Sequence, residues 1–172
     1  MKIIKRLVLI ILVILGLLPG CKKPDEAAKS DIVINELLPV NTSIVPDQNG
    51  EYDDWIELYN LSSSEQDISG YFLSDNNDHF SKWTFPSGTS IPGNGYLIIW
   101  ADGDSAQVGL HANFKLSSLG EEVLLSAPDG TLLDKVIYPG QTVELSWSRN
   151  PDGTGSFGWQ TPTYNSSNNI SE

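Results

Sequence analysis

The chain has 172 residues, 22 acidic against 10 basic, and a formal net charge of −12 at pH 7. Beyond residue 30 its only basic side chains are Lys82, Lys115, Lys135 and Arg149. Nucleic-acid binding rests on lysine and arginine displacing counterions from phosphates, so this acidic field excludes DNA or RNA as a partner. With Cys21 the only cysteine, an intramolecular disulfide is excluded as well.

Residues 1–20 read as a targeting segment. Lys2, Lys5 and Arg6 precede an apolar run, 7–18, broken only by Gly16. At 1.5 Å per residue that run is about 18 Å long as a helix, short of the ~30 Å hydrocarbon core, so a cleavable export signal fits better than a spanning helix. Leu18-Pro19-Gly20-Cys21 resembles the lipobox of bacterial lipoprotein signal peptides, in which the cysteine is lipidated and becomes the new N-terminus. That resemblance implies a membrane anchor on Cys21, since each buried methylene of an acyl chain contributes about 0.8 kcal/mol. Residues 21–30 are polar and without periodicity, a flexible tether. Lys22 stands where some lipoproteins carry an inner-membrane retention aspartate, which points to the outer membrane of the cell envelope, on its periplasmic or exposed side.

No later stretch keeps helical spacing of apolar residues over three turns. Short apolar segments separated by glycine, proline, asparagine and aspartate predict strands over 32–37, 55–60, 68–73, 83–85, 96–100, 122–126, 132–138 and 145–149. Asp129-Gly130 marks a hairpin between the sixth and seventh. Eight short strands predict an all-β, immunoglobulin-like, two-sheet antiparallel β-sandwich over 31–165, with a closed barrel as the alternative and a disordered tail, 166–172. Ile34, Leu37, Ile56, Leu58, Phe85, Leu97, Leu124 and Trp147 are among the expected core residues.

Asp47, Asn49, Glu51 and Asp53 place oxygen ligands at alternate positions of one loop, a pattern suited to calcium. The loop fails as an EF-hand, because Glu51 and Tyr52 sit where a glycine turn is needed and Leu58 holds the closing-glutamate position. Asp75-Asn76-Asn77-Asp78 and Asp102-Gly103-Asp104 are similar clusters, and turn-stabilising side-chain bonds explain such runs without a metal. Catalysis is not expected. His79 and His111 are the only near-neutral bases, and neither a Gly-x-Ser-x-Gly elbow nor a His-Glu-x-x-His motif is present. Among the aromatics, Trp159 and Tyr164 are the candidate exposed pair for binding.

The motifs, in order, resemble the lamin tail domain in its bacterial form. They are Ile34-Asn35-Glu36, Asp54-Trp55-Ile56-Glu57-Leu58-Tyr59-Asn60, Ile68-Ser69-Gly70-Tyr71-Phe72-Leu73-Ser74-Asp75, Trp83-Thr84-Phe85-Pro86, Ile91-Pro92-Gly93-Asn94-Gly95-Tyr96-Leu97 and Ser148-Arg149-Asn150-Pro151-Asp152-Gly153. The resemblance implies an immunoglobulin-like interaction or tethering module without established catalytic residues. Thr161-Pro162-Thr163 departs from the closing Thr-Pro-Gly of many bacterial members. The function expected is therefore a membrane-anchored, non-enzymatic lipoprotein that binds an envelope protein or glycan. The alternative is a calcium-dependent carbohydrate-binding accessory protein of a polysaccharide-degrading system.

Overall fold

The computed structural model describes residues 27–141 and 144–169. The export segment, Cys21, part of the tether and residues 170–172 lie outside the described residues. In chain order the strands are β1 (Ile32–Leu38), β2 (Trp55–Asn60), β3 (Gln66–Asp67), β4 (Phe72–Ser74), β5 (Trp83–Thr84), β6 (Ser90–Ile91) and β7 (Tyr96–Ala101). They continue as β8 (His111–Ala112), β9 (Gly120–Ser126), β10 (Leu132–Pro139), β11 (Ser146–Asn150) and β12 (Ser156–Gln160).

Two main sheets form, in the orders β12-β11-β1-β2-β7-β8 and β10-β9-β4-β5, with a small β3-β6 ribbon beside them. All pairings are antiparallel except β7 with β8. The sandwich follows from alternation. Ile34, Leu37, Ile56, Leu58 and Ile99 from the six-stranded sheet meet Leu73, Trp83, Val123, Leu125 and Val136 from the four-stranded one. Leu97 and Trp147 are half-buried at the margin of this core. Leu124 is buried but lies off it, because the parity of β9 sends Val123 and Leu125 inward instead.

The structure departs from expectation in several places, with β3, β6, β8 and β12 all beyond the eight strands expected. The segment 68–73 is not one strand: Tyr71 N donates to Ile68 O (3.1 Å) and Gly70 takes φ 76°, so the chain turns between β3 and β4. A strand not expected, β12, completes a hairpin with β11; there Gly155 leaves no space for a side chain, since a Cβ would lie 2.0 Å from the Asn150 carbonyl carbon. The tail expected to be disordered is docked as far as it is described. Asn168 is buried, and its amide Nδ2 donates to Asn35 O at 3.3 Å.

A bulge shapes the first strand. Register with β2 shifts between Ile34 and Glu36, which leaves Asn35 without a partner on β2, and the main-chain groups of Ile34 bond outside the β1–β2 ladder. Side chains satisfy them: Ile34 N donates to Asp134 Oδ2 (2.8 Å) and Ile34 O accepts from Arg149 Nε (2.9 Å). Arg149 also pairs with Asp134 at 3.1 Å, so one ion pair ties β1, β10 and β11 together.

Candidate functional site

Two features on the six-stranded sheet bring polar groups together. The first lies where β1 hands over to β2 and β7 to β8. Buried Asn41 frames the loop, donating from Nδ2 to Val45 O (2.7 Å) and Asp53 O (2.8 Å). Asp47 N donates to Glu51 O at 2.8 Å, with Gly50 at φ 85°. Asp47 Oδ1 accepts from the main-chain N of Asn49 and of Glu51, each at 2.8 Å, which folds the loop around its carboxylate.

The fold then assembles carboxylates that the sequence separates. The β2–β7 register pairs Trp55 with Trp100, so residues just before β2 face those just after β7. Ala101 N donates to Asp54 O at 2.8 Å. Ligand atoms of Asp47, Glu51 and Asp53 lie within 4.8 Å of one another, and so do those of Asp47, Asp102 and His111. Asp47 belongs to both groups, is only 7% exposed, and its Oδ2 is buried without a hydrogen-bond partner. Asp53 Oδ2 is likewise buried and unpartnered. Burial, reinforced by the negative charges of Asp102, Asp47 and Glu51, holds the Asp53 carboxyl above its ordinary value, with Lys115 opposing.

Of the four residues expected to ligate calcium, the three carboxylates converge. Asn49 turns its amide to Gln107, Nδ2 donating to Oε1 at 2.6 Å. Gln107 Nε2 also donates to Glu51 Oε2 at 3.2 Å, cross-linking the two loops. His111 is buried, with Nδ1 2.6 Å from Asp102 Oδ2 and Nε2 3.3 Å from Gln48 Oε1. Asp102 and His111 therefore belong to this site, although the sequence offered Asp102 only within a turn-like cluster and His111 only as a near-neutral base. The register of the two signature strands was the signal that linked them. The loop at 75–78 is a separate feature: Asp75 pairs with Lys82 at 2.6 Å, and residues Asn77–His79 form a 3-10 turn with His79 exposed.

The second feature is a clasp on the outer face of the same sheet. Glu36 and Glu57 are register partners on β1 and β2, and both are fully buried. Glu57 Oε2 accepts from Asn165 N (2.8 Å) and Oε1 from Asn35 Nδ2 (3.0 Å). Glu36 accepts from Thr163, from N at 3.0 Å and from Oγ1 at 2.7 Å. The Thr163 that departs from the family's glycine thus supplies a hydroxyl to Glu36. Burial raises both carboxyls, Glu57 to about 8, against the pull of these donors.

The clasp also corrects the expectation of an exposed aromatic pair. Tyr164 packs edge-on to Trp55 (5.6 Å) and against Trp100 (5.8 Å). Trp159 packs instead on Trp147 (4.9 Å), within a different apolar cluster. Both are half-buried, and they do not form one surface. A family model described as Lamin Tail Domain matches residues 25–140, so the match includes Glu36 and Glu57 but stops before β11, β12 and the clasp residues Thr163 and Asn165. No curated protein matches the chain.

Proposed function

The chain belongs to the lamin tail domain family, and from that premise we propose a membrane-anchored, non-enzymatic envelope lipoprotein whose sandwich docks a protein or glycan. A lamin-tail sandwich is a protein-interaction module; the lipid on Cys21 and the envelope partner are the steps beyond it. The observation that carries the reading is the polarity of the sandwich. The tether enters beside β10, where Ala28 N donates to Leu132 O at 2.8 Å, and then begins β1 at Ile32. The loops 41–54 and 102–110 follow the far ends of β1 and β7, roughly 20 Å away at about 3.3 Å per strand residue. An anchor at Cys21 would therefore join the domain at the end opposite this loop pair.

That distal face suits docking. Tyr52 is 46% exposed and Val108 84% exposed, each next in sequence to one of the cross-linked residues Glu51 and Gln107. Apolar side chains rimmed by polar groups on a braced loop are the usual anchors of a binding surface. Both histidines are poorly placed for proton transfer, His111 being held through both ring nitrogens and His79 lying on an exposed turn.

Chemical crosslinking on intact cells, with affinity recovery and mass spectrometry, tests the proposal. One dominant envelope protein, crosslinked near residues 44–53 or 104–109, is the expected outcome. Background proteins alone, together with glycan binding that a chelator abolishes, would replace it with the calcium-dependent carbohydrate-binding reading.

A further inference from the structure

We propose that the distal loop pair binds one calcium ion through the carboxylates of Asp47, Glu51 and Asp53, braced from behind by the Asp102–His111 pair. The geometry fits the ion. Calcium–oxygen bonds run about 2.3–2.6 Å, so two oxygens on one ion are at most about 5.2 Å apart. The three carboxylates offer atoms within 4.8 Å of one another. Two of their oxygens, Asp47 Oδ2 and Asp53 Oδ2, are buried with no partner in the protein. A buried, unsatisfied carboxylate oxygen is costly, and here two of them sit in the same three-carboxylate group, where a cation satisfies both at once.

The donor set also decides against other metals. It is all oxygen, and the one imidazole nearby is kept out, since Asp102 Oδ2 and Gln48 Oε1 engage its two nitrogens. A transition metal favouring nitrogen is thus disfavoured. A loop with three carboxylates and room for main-chain and water oxygens suits the six to eight ligands of calcium better than the strict octahedron of magnesium. Asp102 is assigned the bracing role, its Oδ1 accepting from Asp104 N (2.9 Å) and its Oδ2 held 2.6 Å from His111 Nδ1. Asn49 is placed outside the ligand set, its Nδ2 being held by Gln107 Oε1.

The site has a structural consequence. Glu51 is both ligand and partner of Gln107, so calcium would fix the 47–53 loop against the 102–110 loop that carries Val108. Occupancy thereby sets the shape of the distal face. This inference stands on the carboxylate geometry alone and survives or fails independently of the envelope partner.

The test is isothermal titration of the full-length chain, purified in detergent, with calcium chloride, beside thermal melts in calcium and in chelator. A dissociation constant of roughly 10⁻⁴–10⁻³ M is expected, the range of extracellular calcium modules, with a melting temperature that rises in calcium. Asp47→Asn keeps the oxygen that caps the loop and removes the charge. Asp53→Asn removes no hydrogen bond of the described fold. Each is expected to weaken binding at least about tenfold, Asn49→Ala to leave it within about twofold, and magnesium to bind at least about tenfold more weakly. Absence of heat and of any melting shift at several millimolar calcium would overturn the site. So would undiminished binding by Asp53→Asn, or zinc binding in place of calcium.

Discussion

Asn35 shows why a signature residue need not touch a ligand. It occupies the bulge of β1, and every polar group of its side chain is used. Nδ2 donates to Glu57 Oε1 and to Asp152 Oδ1, both at 3.0 Å, while Oδ1 accepts from Gly153 N at 2.9 Å. Its own carbonyl accepts from Asn168. Replacing Asn35 by Ala would strand a buried carboxylate and a buried N–H together, and we expect a loss of about 3 kcal/mol in denaturant unfolding. Glu57 adds a pH dependence. Its carboxyl ionises near 4.5 in the unfolded chain but only at about 8 in the fold, because burial disfavours the charge. The folded protein therefore keeps a proton that the unfolded chain has lost. Stability from this group is whole below about pH 4.5 and is lost as pH rises through about 8. Glu36, raised by burial, and Asp54, raised by burial to about 7, act in the same direction. The melting temperature should fall between pH 5 and pH 9, with a shallower slope in Glu57→Gln; a flat or rising profile in the unaltered protein would refute this account.

At the scale of elements, what was legible followed from periodicity, and what was hidden followed from pairing. Alternation in 55–60 and 96–100 located β2 and β7, because each strand buries Ile56 and Leu58, or Ile99, on one side. The register between them is not written in either strand alone, and it is what places Asp102 beside the 47–53 loop. β12 escaped notice because Ser156-Phe157-Gly158-Trp159-Gln160 is interrupted by glycine and follows Gly153 and Gly155, although Phe157 and Trp159 share a face against Trp147. The bulge of β1 had no sequence mark beyond the motif itself. Its consequence is measurable through Arg149, which pairs with Asp134, caps Ile34 O and stacks 4.5 Å over Phe157. Arg149→Lys keeps the charge but loses the planar fork, and we expect about 1–3 kcal/mol of destabilisation. A loss as small as that of an exposed ion pair would show that the bridge between the sheets contributes little.

For the whole molecule, charge and anchorage carry the argument. A net charge of −12 should repel polyanions, most strongly at low salt, so we expect no retention on a phosphate polymer. Cys21→Ser tests the proposed anchor: labelling with radioactive palmitate should vanish, and the protein should move from the membrane pellet to the soluble fraction. Continued pelleting with the membrane would place the anchor elsewhere. One feature of the clasp reaches into how such a protein is made. β1 is the first strand of the domain, yet its partner β11, the Thr163 donors to Glu36 and the Asn165 donor to Glu57 come from residues 146–169. Until that last stretch is available, β1 lacks its β11 neighbour and Glu36 lacks the two bonds from Thr163. If the proposed export signal operates, such a delay would suit a chain that must stay threadable in transit, with its own final residues as the latch.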